Sequence, residues 1–362
     1  MNEKGKIGIK ILMVILIVIL ASVLVYVNQT PVFFTKAIRL FNKNYEYKTP
    51  TVELESTEGV FVTALSDARA VIGTKEGINV YSHSLKSEKS AAFSGENPVI
   101  KHNGDKILVF HKGSEKAFFM NGKRNILTGA VNENGYFALL TEEKGFKAEI
   151  VVYDKNGEEF YKWHSAENFV TDITLSPSNT AFAASALDYS DGALKSKLLI
   201  FDTTHEEPKI TDANENFTQI EFIGRSKIAV VSDNAVSVYS TGGNRLWQHS
   251  FGNKTVFAYK IKDGKIAAAA GDSNLGTETL DVLMFNDGGK AVVNFKNKGE
   301  AVCLDILGND VLIAGKRYMR VADIKEKWYL KTGKDIASAQ FFGNNKTALV
   351  HSGALVQLEY FE

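Results

Sequence analysis

The chain has 362 residues, 44% hydrophobic and 23% charged, with 42 Lys or Arg against 42 Asp or Glu. That is ordinary globular composition, not the polar, highly charged profile of a disordered chain. The charge balance excludes a broadly basic nucleic-acid binder and an acidic tail for a cationic partner, and the single cysteine, Cys303, excludes an internal disulfide.

The chain opens with a short basic tail, residues 1–10, carrying Lys4, Lys6 and Lys10. Residues 11–27, ILMVILIVILASVLVYV, form an uncharged run in which Ser22 and Tyr26 are the only polar side chains. A spanning helix needs about 20 mostly apolar residues. Starting at Ile7, with Lys10 snorkelling to the headgroups, supplies that length. The run lacks the periodic polar positions of an amphipathic helix and ends without a small-x-small cleavage site. It reads as an uncleaved signal anchor. Lys10 abuts the run, whereas residues 28–35 carry no charge. The positive-inside rule therefore keeps the N-terminus cytoplasmic and exports the rest. With one cysteine in an exported domain, the sequons at Asn28, Asn216, Asn253 and Asn345 read as chance matches, and a single-membrane bacterial envelope fits best.

Residues 28–50 form a linker. Within 31–48, Phe33, Phe34, Ala37, Ile38 and Phe41 recur at helical spacing, with Lys36, Arg39 and Lys43 between them. This is an amphipathic face suited to a membrane surface or to packing on the following domain.

From Thr51 to the end, short β-branched and alternating runs are separated by Gly, Asn, Asp and Ser, which reads as all-β. A unit of about 39 residues recurs, of a length and strand content that point to radial repetition. Its second strands align as AVIG (70–73), ILVF (107–110), FALL (137–140), AFAA (181–184), IAVV (228–231), IAAA (266–269), VLIA (311–314) and TALV (347–350). Third strands follow, such as EIVVYD and KLLIFD. Fourth strands, KSAAF, RNILT, EEFYKW, PKIT, NRLWQHS, KAVVNF and KWYLK, complete seven units. Four strands per unit predict an eight-bladed β-propeller over residues 51–362, with seven blades as the alternative. The small apolar second strands suit burial on both faces, between neighbouring blades. The last unit has only three strands. Residues 51–55, TVELE, alternate Val52 and Leu54 against polar neighbours and are expected to complete it, joining the two ends of the chain.

These units resemble WD-repeat-like and quinoprotein-like propellers. Residues 171–185, TDITLSPSNTAFAAS, resemble the serine-proline-turn start of a bacterial propeller blade. Residues 238–247, VYSTGGNRLW, resemble the outer half of a quinoprotein-type repeat, and Trp163, Trp247 and Trp328 fall in equivalent fourth strands. The Gly-His and Trp-Asp pairs of WD repeats are absent. The whole arrangement is similar to membrane-anchored propellers of Gram-positive bacteria, a resemblance that implies no particular activity.

The motifs of chemistry are missing. There is no H-E-x-x-H, Walker A, G-x-G-x-x-G or G-x-S-x-G, and basic residues are interleaved with acidic ones. None of the seven histidines (His83, His102, His111, His164, His205, His249, His351) stands at metal-ligand spacing with another, so each reads as a strand-edge or loop residue. The stretch 272–281, DSNLGTETLD, offers Asp272, Asn274, Glu278 and Asp281, but its glycine and acids miss the EF-hand positions, so it reads as a polar hairpin. Asp188 begins a weaker match, DYSDG. The first strands carry Thr63, Lys101, Asp172, Glu221, Lys260, Asp305 and Gln340, expected to line a hydrated channel. Cys303 aligns with Val62, Val99, Gly129, Ile173, Ile220, Ala258 and Ala339, and is expected to be a buried structural thiol.

The expected function is binding or scaffolding at the cell envelope, toward a protein or glycan, without catalysis, cofactor, metal or nucleic acid. The alternative is a quinoprotein-like or carbohydrate-active enzyme with its site at the central channel.

Overall fold

The computed structural model describes residues 49–361 apart from 58–59, 66–67, 75–76, 93–98, 104–105, 111–125, 133, 190–191, 193, 214, 273–278 and 324. The basic tail, the expected anchor at 11–27 and the expected amphipathic stretch at 31–48 lie outside the described residues. Among the described residues no helix is long and apolar enough to cross a membrane.

All regular structure there is β-strand, arranged as seven four-stranded antiparallel sheets and one two-stranded hairpin. The first strands are Phe61–Ala64, Val99–Asn103, Ile126–Val131, Phe169–Leu175, Phe217–Phe222, Thr255–Lys262, Cys303–Leu307 and Ser338–Phe342. The second strands are Ala70–Gly73, Lys106–Phe110, Phe137–Thr141, Ala181–Asp188, Lys227–Ser232, Lys265–Gly271, Asp310–Gly315 and Asn344–Ser352. They coincide with the eight apolar runs of the repeat. The third and fourth strands expected for the second repeat fall largely within 111–125, outside the described residues. One assignment changes. The run RNILT does not close the second unit, because Ile126–Val131 pairs with Phe137–Thr141 as the first strand of the third sheet.

First strands of successive sheets lie side by side: Val99–Asn103 beside Ile126–Val131, then Phe169–Leu175 and Phe217–Phe222. Thr255–Lys262 packs on Lys227–Ser232 and continues to Cys303–Leu307, Ser338–Phe342 and Phe61–Ala64. This is propeller stacking, and it places the apolar core between sheets. One core joins Leu140, Ile150 and Val152 of the third sheet to Phe182, Ala184 and Phe201 of the fourth, where Phe182 stacks on Phe201 at 4.2 Å. Another joins Ala229, Val231 and Val238 to Ile266, Ala268 and Phe285. Second strands are buried along most of their length (Phe137–Thr141 and Asp310–Gly315 throughout), because each is covered on both faces by neighbouring sheets.

Turn chemistry sets the outer register. In Asp154–Glu158, Asp154 Oδ1 accepts from the amides of Asn156 and Glu158, both at 2.8 Å, and Gly157 takes φ 87°. Asn286 Oδ1 accepts from Gly288 and Lys290 in the same way, with Gly289 at φ 83°. A glycine in the left-handed region after such a turn makes a bulge. The register between third and fourth strands accordingly shifts at Val152/Tyr153 and at Met284/Phe285.

The expected closure is present. Thr51–Glu53 pairs antiparallel with Leu355–Tyr360 (Thr51 with Gln357, Val52 with Val356, Glu53 with Leu355), and Leu54 N donates to Ala354 O at 2.8 Å. The sheet reads Thr51–Glu53, Leu355–Tyr360, Asn344–Ser352, Ser338–Phe342, so the first and last strands of the described chain share one sheet. Val52 and Leu54 pack on the core of Val62, Ile72, Leu349 and Leu358 between this sheet and the first.

Candidate functional site at the loop end of the third and fourth sheets

The polar residues of the first strands knit neighbouring sheets together. Asp172 Oδ2 accepts from Ile220 N at 3.2 Å, and Thr174 Oγ1 from Phe222 N at 3.1 Å. Asp305 is buried. Its Oδ2 accepts from Phe341 N at 2.8 Å, and Lys262 Nζ lies 3.2 Å from its Oδ1. Gln340 Oε1 accepts from Ala64 N at 2.9 Å and from Thr63 Oγ1 at 3.2 Å, while its Nε2 donates to Val62 O at 3.0 Å. In each case a side chain on one first strand satisfies the backbone of the next, whose edge no sheet partner covers. Glu221 and Lys260 are half-buried on their own strands. The side chain of Lys101 lies outside the described residues.

Cys303, half-buried and not fully buried as its alignment suggests, belongs to the same seam. Its Sγ accepts from Ala339 N at 3.2 Å, and burial pushes its thiol pKa up to about 11. A thiol held protonated is a poor nucleophile. Asp281, offered as a calcium ligand, is paired with Lys254 and lies 3.6 Å from Lys296 Nζ, and these ammonium groups hold its carboxyl below the usual range. Residues 273–278 of that stretch lie outside the described residues. Asp188 pairs with Lys197 at 3.1 Å. Among the described residues no group of three or more His, Cys, Asp or Glu is placed to hold a metal. The three tryptophans sit in fourth strands as expected and serve packing: Trp163 meets Phe201 edge-on at 5.0 Å, Trp247 Nε1 donates to Asp287 O at 3.0 Å, and Trp328 packs on the core between the last two sheets.

What the sequence reading missed is a surface. The ends of the sheets that carry the second-to-third-strand loops display Phe146, Phe169, Tyr189 and Leu194, which are 45%, 57%, 70% and 50% exposed. Phe169 opens the first strand of the fourth sheet and pairs with Leu187, two residues before Tyr189. Phe146 sits in the loop of the third sheet. Lys147 ties the two sheets: its Nζ donates to Glu167 O at 2.7 Å and lies 4.8 Å from the Phe169 ring centroid. Behind Phe146 is a polar support. The His164 ring stacks on it at 4.5 Å, and His164 Nε2 donates to Glu149 Oε2 at 2.8 Å. Glu149 is buried and also accepts from Thr141 Oγ1 at 2.8 Å. Thr141, Glu149 and His164 are cross-strand neighbours, so the pleat places them on one face of the sheet. His164 lies on the edge strand Glu159–Ser165, as expected, and there it buttresses Phe146. The apolar loop residues were legible in the sequence only as composition, since nothing in their spacing separates an exposed phenylalanine from a core one.

Comparison with solved structures gives the fold. The crystal structure of RRP9 WD40 repeats aligns with a TM-score of 0.52 at 8% identity, covering 88% of this chain and 100% of that one. The Neurospora crassa Pan2 WD40 domain aligns at 0.49 with 10% identity, over 87% of this chain and 96% of that one. KlHsv2 with loop 6CD replaced by a Gly-Ser linker aligns at 0.49 with 12% identity, over 85% and 90%. A search of curated sequences found no match. A family model described as a family of unknown function, DUF5711, matches residues 42–358. A match over that much of the chain makes the protein a member of the DUF5711 family, with the fold of a WD40-like β-propeller.

Proposed function

We propose that the protein is a membrane-anchored, extracytoplasmic binding or scaffolding module that engages a protein of the cell envelope through the loop end of its third and fourth sheets, and that it performs no catalysis. The observation that carries this reading is the exposure of Phe146, Phe169, Tyr189 and Leu194 at one end of the third and fourth sheets. Exposed apolar side chains gathered at one place mark interaction surfaces, whereas scattered ones do not. The inter-sheet hydrogen bonds of Asp172, Asp305 and Gln340 favour binding over a channel enzyme, because these side chains are spent on cohesion. The eight repeats support an eight-bladed ring. The uncharged run at 11–27 and Lys10 support a single anchor with a cytoplasmic N-terminus.

A photo-crosslinking residue at position 169 of the full chain in native membranes tests the binding face. A discrete adduct that Phe146→Ser abolishes is expected, and none from position 246 on an outer strand. Equal adducts from both positions, or none from 169, overturn the reading. Protease added to wall-stripped cells tests topology. The domain after residue 50 should be digested without opening the membrane, and its protection would reverse the orientation.

A further inference from the structure

We infer that the partner lays an extended, uncharged apolar segment across the loop-end mouth of the central channel. The inference rests on the reading that this end of the domain binds a protein, and it adds the seat and the chemistry of the bound segment.

A β-bulge recurs at the loop end of six first strands. Pairing with the second strand skips Leu127, Thr171, Thr218 and Phe257. Val302 N donates to Ala314 O at 2.7 Å, opposite the residue that Cys303 already pairs with, and Ala337 N donates to His351 O at 2.8 Å, which Ser338 pairs with. All six residues are exposed. A bulge bends its strand and re-aims the side chain that it leaves unpaired. Cross-sheet hydrogen bonds set these bulges at one level. Ile220 N on Asp172 and Phe222 N on Thr174 each span 48 residues, and Ala339 N on Cys303 and Phe341 N on Asp305 each span 36. A constant offset means that adjacent first strands run parallel in fixed register. Thr171 therefore lies level with Thr218, and Val302 with Ala337. Because the first strands lie side by side around the channel, their bulges form a rim at its mouth.

None of the six carries a charge, and each offers carbon. Leu127, Phe257, Val302 and Ala337 have no polar side-chain atom. Thr171 Oγ1 lies 2.7 Å from Ser185 Oγ, and Thr218 Oγ1 donates to Val231 O at 3.0 Å. Both hydroxyls are turned back onto their own second strands, which leaves the methyl groups for contact. Phe169 stands two residues before Thr171, so the rim is continuous with the apolar face of the third and fourth sheets. Charges in the adjoining loops are tied: Lys254 pairs with Asp281, Asp335 with Arg317, and Glu300 Oε1 accepts from Lys316 N at 3.0 Å. Behind the rim the first strands turn polar at Asp172, Glu221, Lys260 and Gln340. A carbon rim over a polar throat matches an extended peptide, which brings apolar side chains and a polar backbone together. The acyl chains of a bilayer match only the rim. A charged segment would shed hydration at six positions that hold no counter-charge.

The test uses the full chain in nanodiscs of neutral phosphatidylcholine, immobilised for interferometry, with empty nanodiscs as reference. The probes are end-blocked synthetic peptides of equal length: Leu/Ser, Lys/Ser and Glu/Ser. The Leu/Ser peptide should bind at least about tenfold more tightly than either charged one, and its affinity should change less than about twofold between about 50 and 500 mM salt, since screening acts on charges. Phe257→Ser with Val302→Ser, in the sixth and seventh sheets, should weaken it at least about fivefold, and so should Ala337→Asp, which sets a charge in the rim. Phe146→Ser with Tyr189→Ser tests the face of the third and fourth sheets alone. All five positions are exposed, and unchanged thermal melts confirm that the variants fold. If the Phe257 and Val302 pair does not fold, Ala337→Asp decides. If the Phe146 and Tyr189 pair weakens binding and the rim variants do not, the rim inference falls and the binding face stands. If only the rim variants weaken it, the segment sits at the rim and the face of the third and fourth sheets falls. Equal binding of a charged peptide and Leu/Ser overturns the uncharged occupant. Capture of neutral phosphatidylcholine liposomes that the Phe257 and Val302 pair abolishes, without peptide binding, would make the rim a lipid contact and overturn the inference. If neither peptides nor liposomes bind, both readings fall.

Discussion

The strand Thr51–Glu53 offers the sharpest test of how this domain holds together. Replacing Val52 and Leu54 with Asp leaves the chain length unchanged and places two charges where the strand contributes apolar side chains to the core of Val62, Ile72, Leu349 and Leu358. Both residues are half-buried. Losing that burial costs about 1–1.5 kcal/mol each. Charge at a partly apolar site opposes re-pairing with Leu355–Tyr360, and loss of two or three net hydrogen bonds adds about 1–2 kcal/mol. The sum is about 3–5 kcal/mol. For a domain of this size each kcal/mol lowers Tm by about 2–3 °C, so a fall of about 6–15 °C is expected. Circular dichroism at a β-sheet wavelength on the full chain measures it, with deletion of residues 42–48 as the control that should leave Tm within about 1–2 °C of the parent. If the double variant melts with the parent, the pairing of Thr51 with Gln357 does not close the fold. A one-residue slip cannot rescue the variant strand, because it would turn Glu53 and Glu55 toward the core in place of the two new Asp residues.

Other expectations follow from single positions. Cys303 should resist maleimide at pH 8 in the folded protein and react promptly after denaturation, since its thiol pKa is pushed up to about 11; fast native labelling would remove it from the inter-sheet seam. Gly289→Ala should destabilise more than Gly264→Ala in urea melts. Both glycines have left-handed φ, worth about 1–2 kcal/mol, but a Cβ at 289 would meet the Trp247 ring at 2.8 Å and one at 264 meets nothing within 4 Å; equal costs would mean the ring yields freely. Asp305→Ala should cost about 2–4 kcal/mol, because Phe341 N and Lys262 lose a buried acceptor, and Asp305→Asn about half as much; a neutral Asp305→Ala would end the cohesive role given to the first-strand acids. Asp281 has a depressed folded pKa, so its stabilising contribution is complete above the ordinary carboxylate pKa and lost as pH falls through the folded value. The Tm gap between the parent and Asp281→Asn should therefore be present at pH 7 and close in strong acid, and a gap that widens in acid would contradict the Lys254 pairing.

The sequence by itself determined the repeat, the strand class and the closure. The period of about 39 residues, the eight apolar second strands and the turn glycines all act through local rules of alternation and backbone φ. Val52 and Leu54 announced their pairing because their alternation stands outside the repeat, whose last unit lacks a fourth strand. The position of RNILT was not legible, since an apolar run beside a turn fits either the end of one sheet or the start of the next, and only the pairing of Ile126–Val131 with Phe137–Thr141 decides. The first-strand acids were seen as a channel lining, but that Asp305 would bind Phe341 N depends on how adjacent sheets abut, a contact between residues 36 apart in sequence. The loop-end surface was hidden for the same reason. Phe146, Phe169, Tyr189 and Leu194 belong to two sheets and three chain segments. Local pattern fixes which residues form strands. Only the stacking of those strands decides which side chains share a surface, because adjacency between sheets has no period in the sequence.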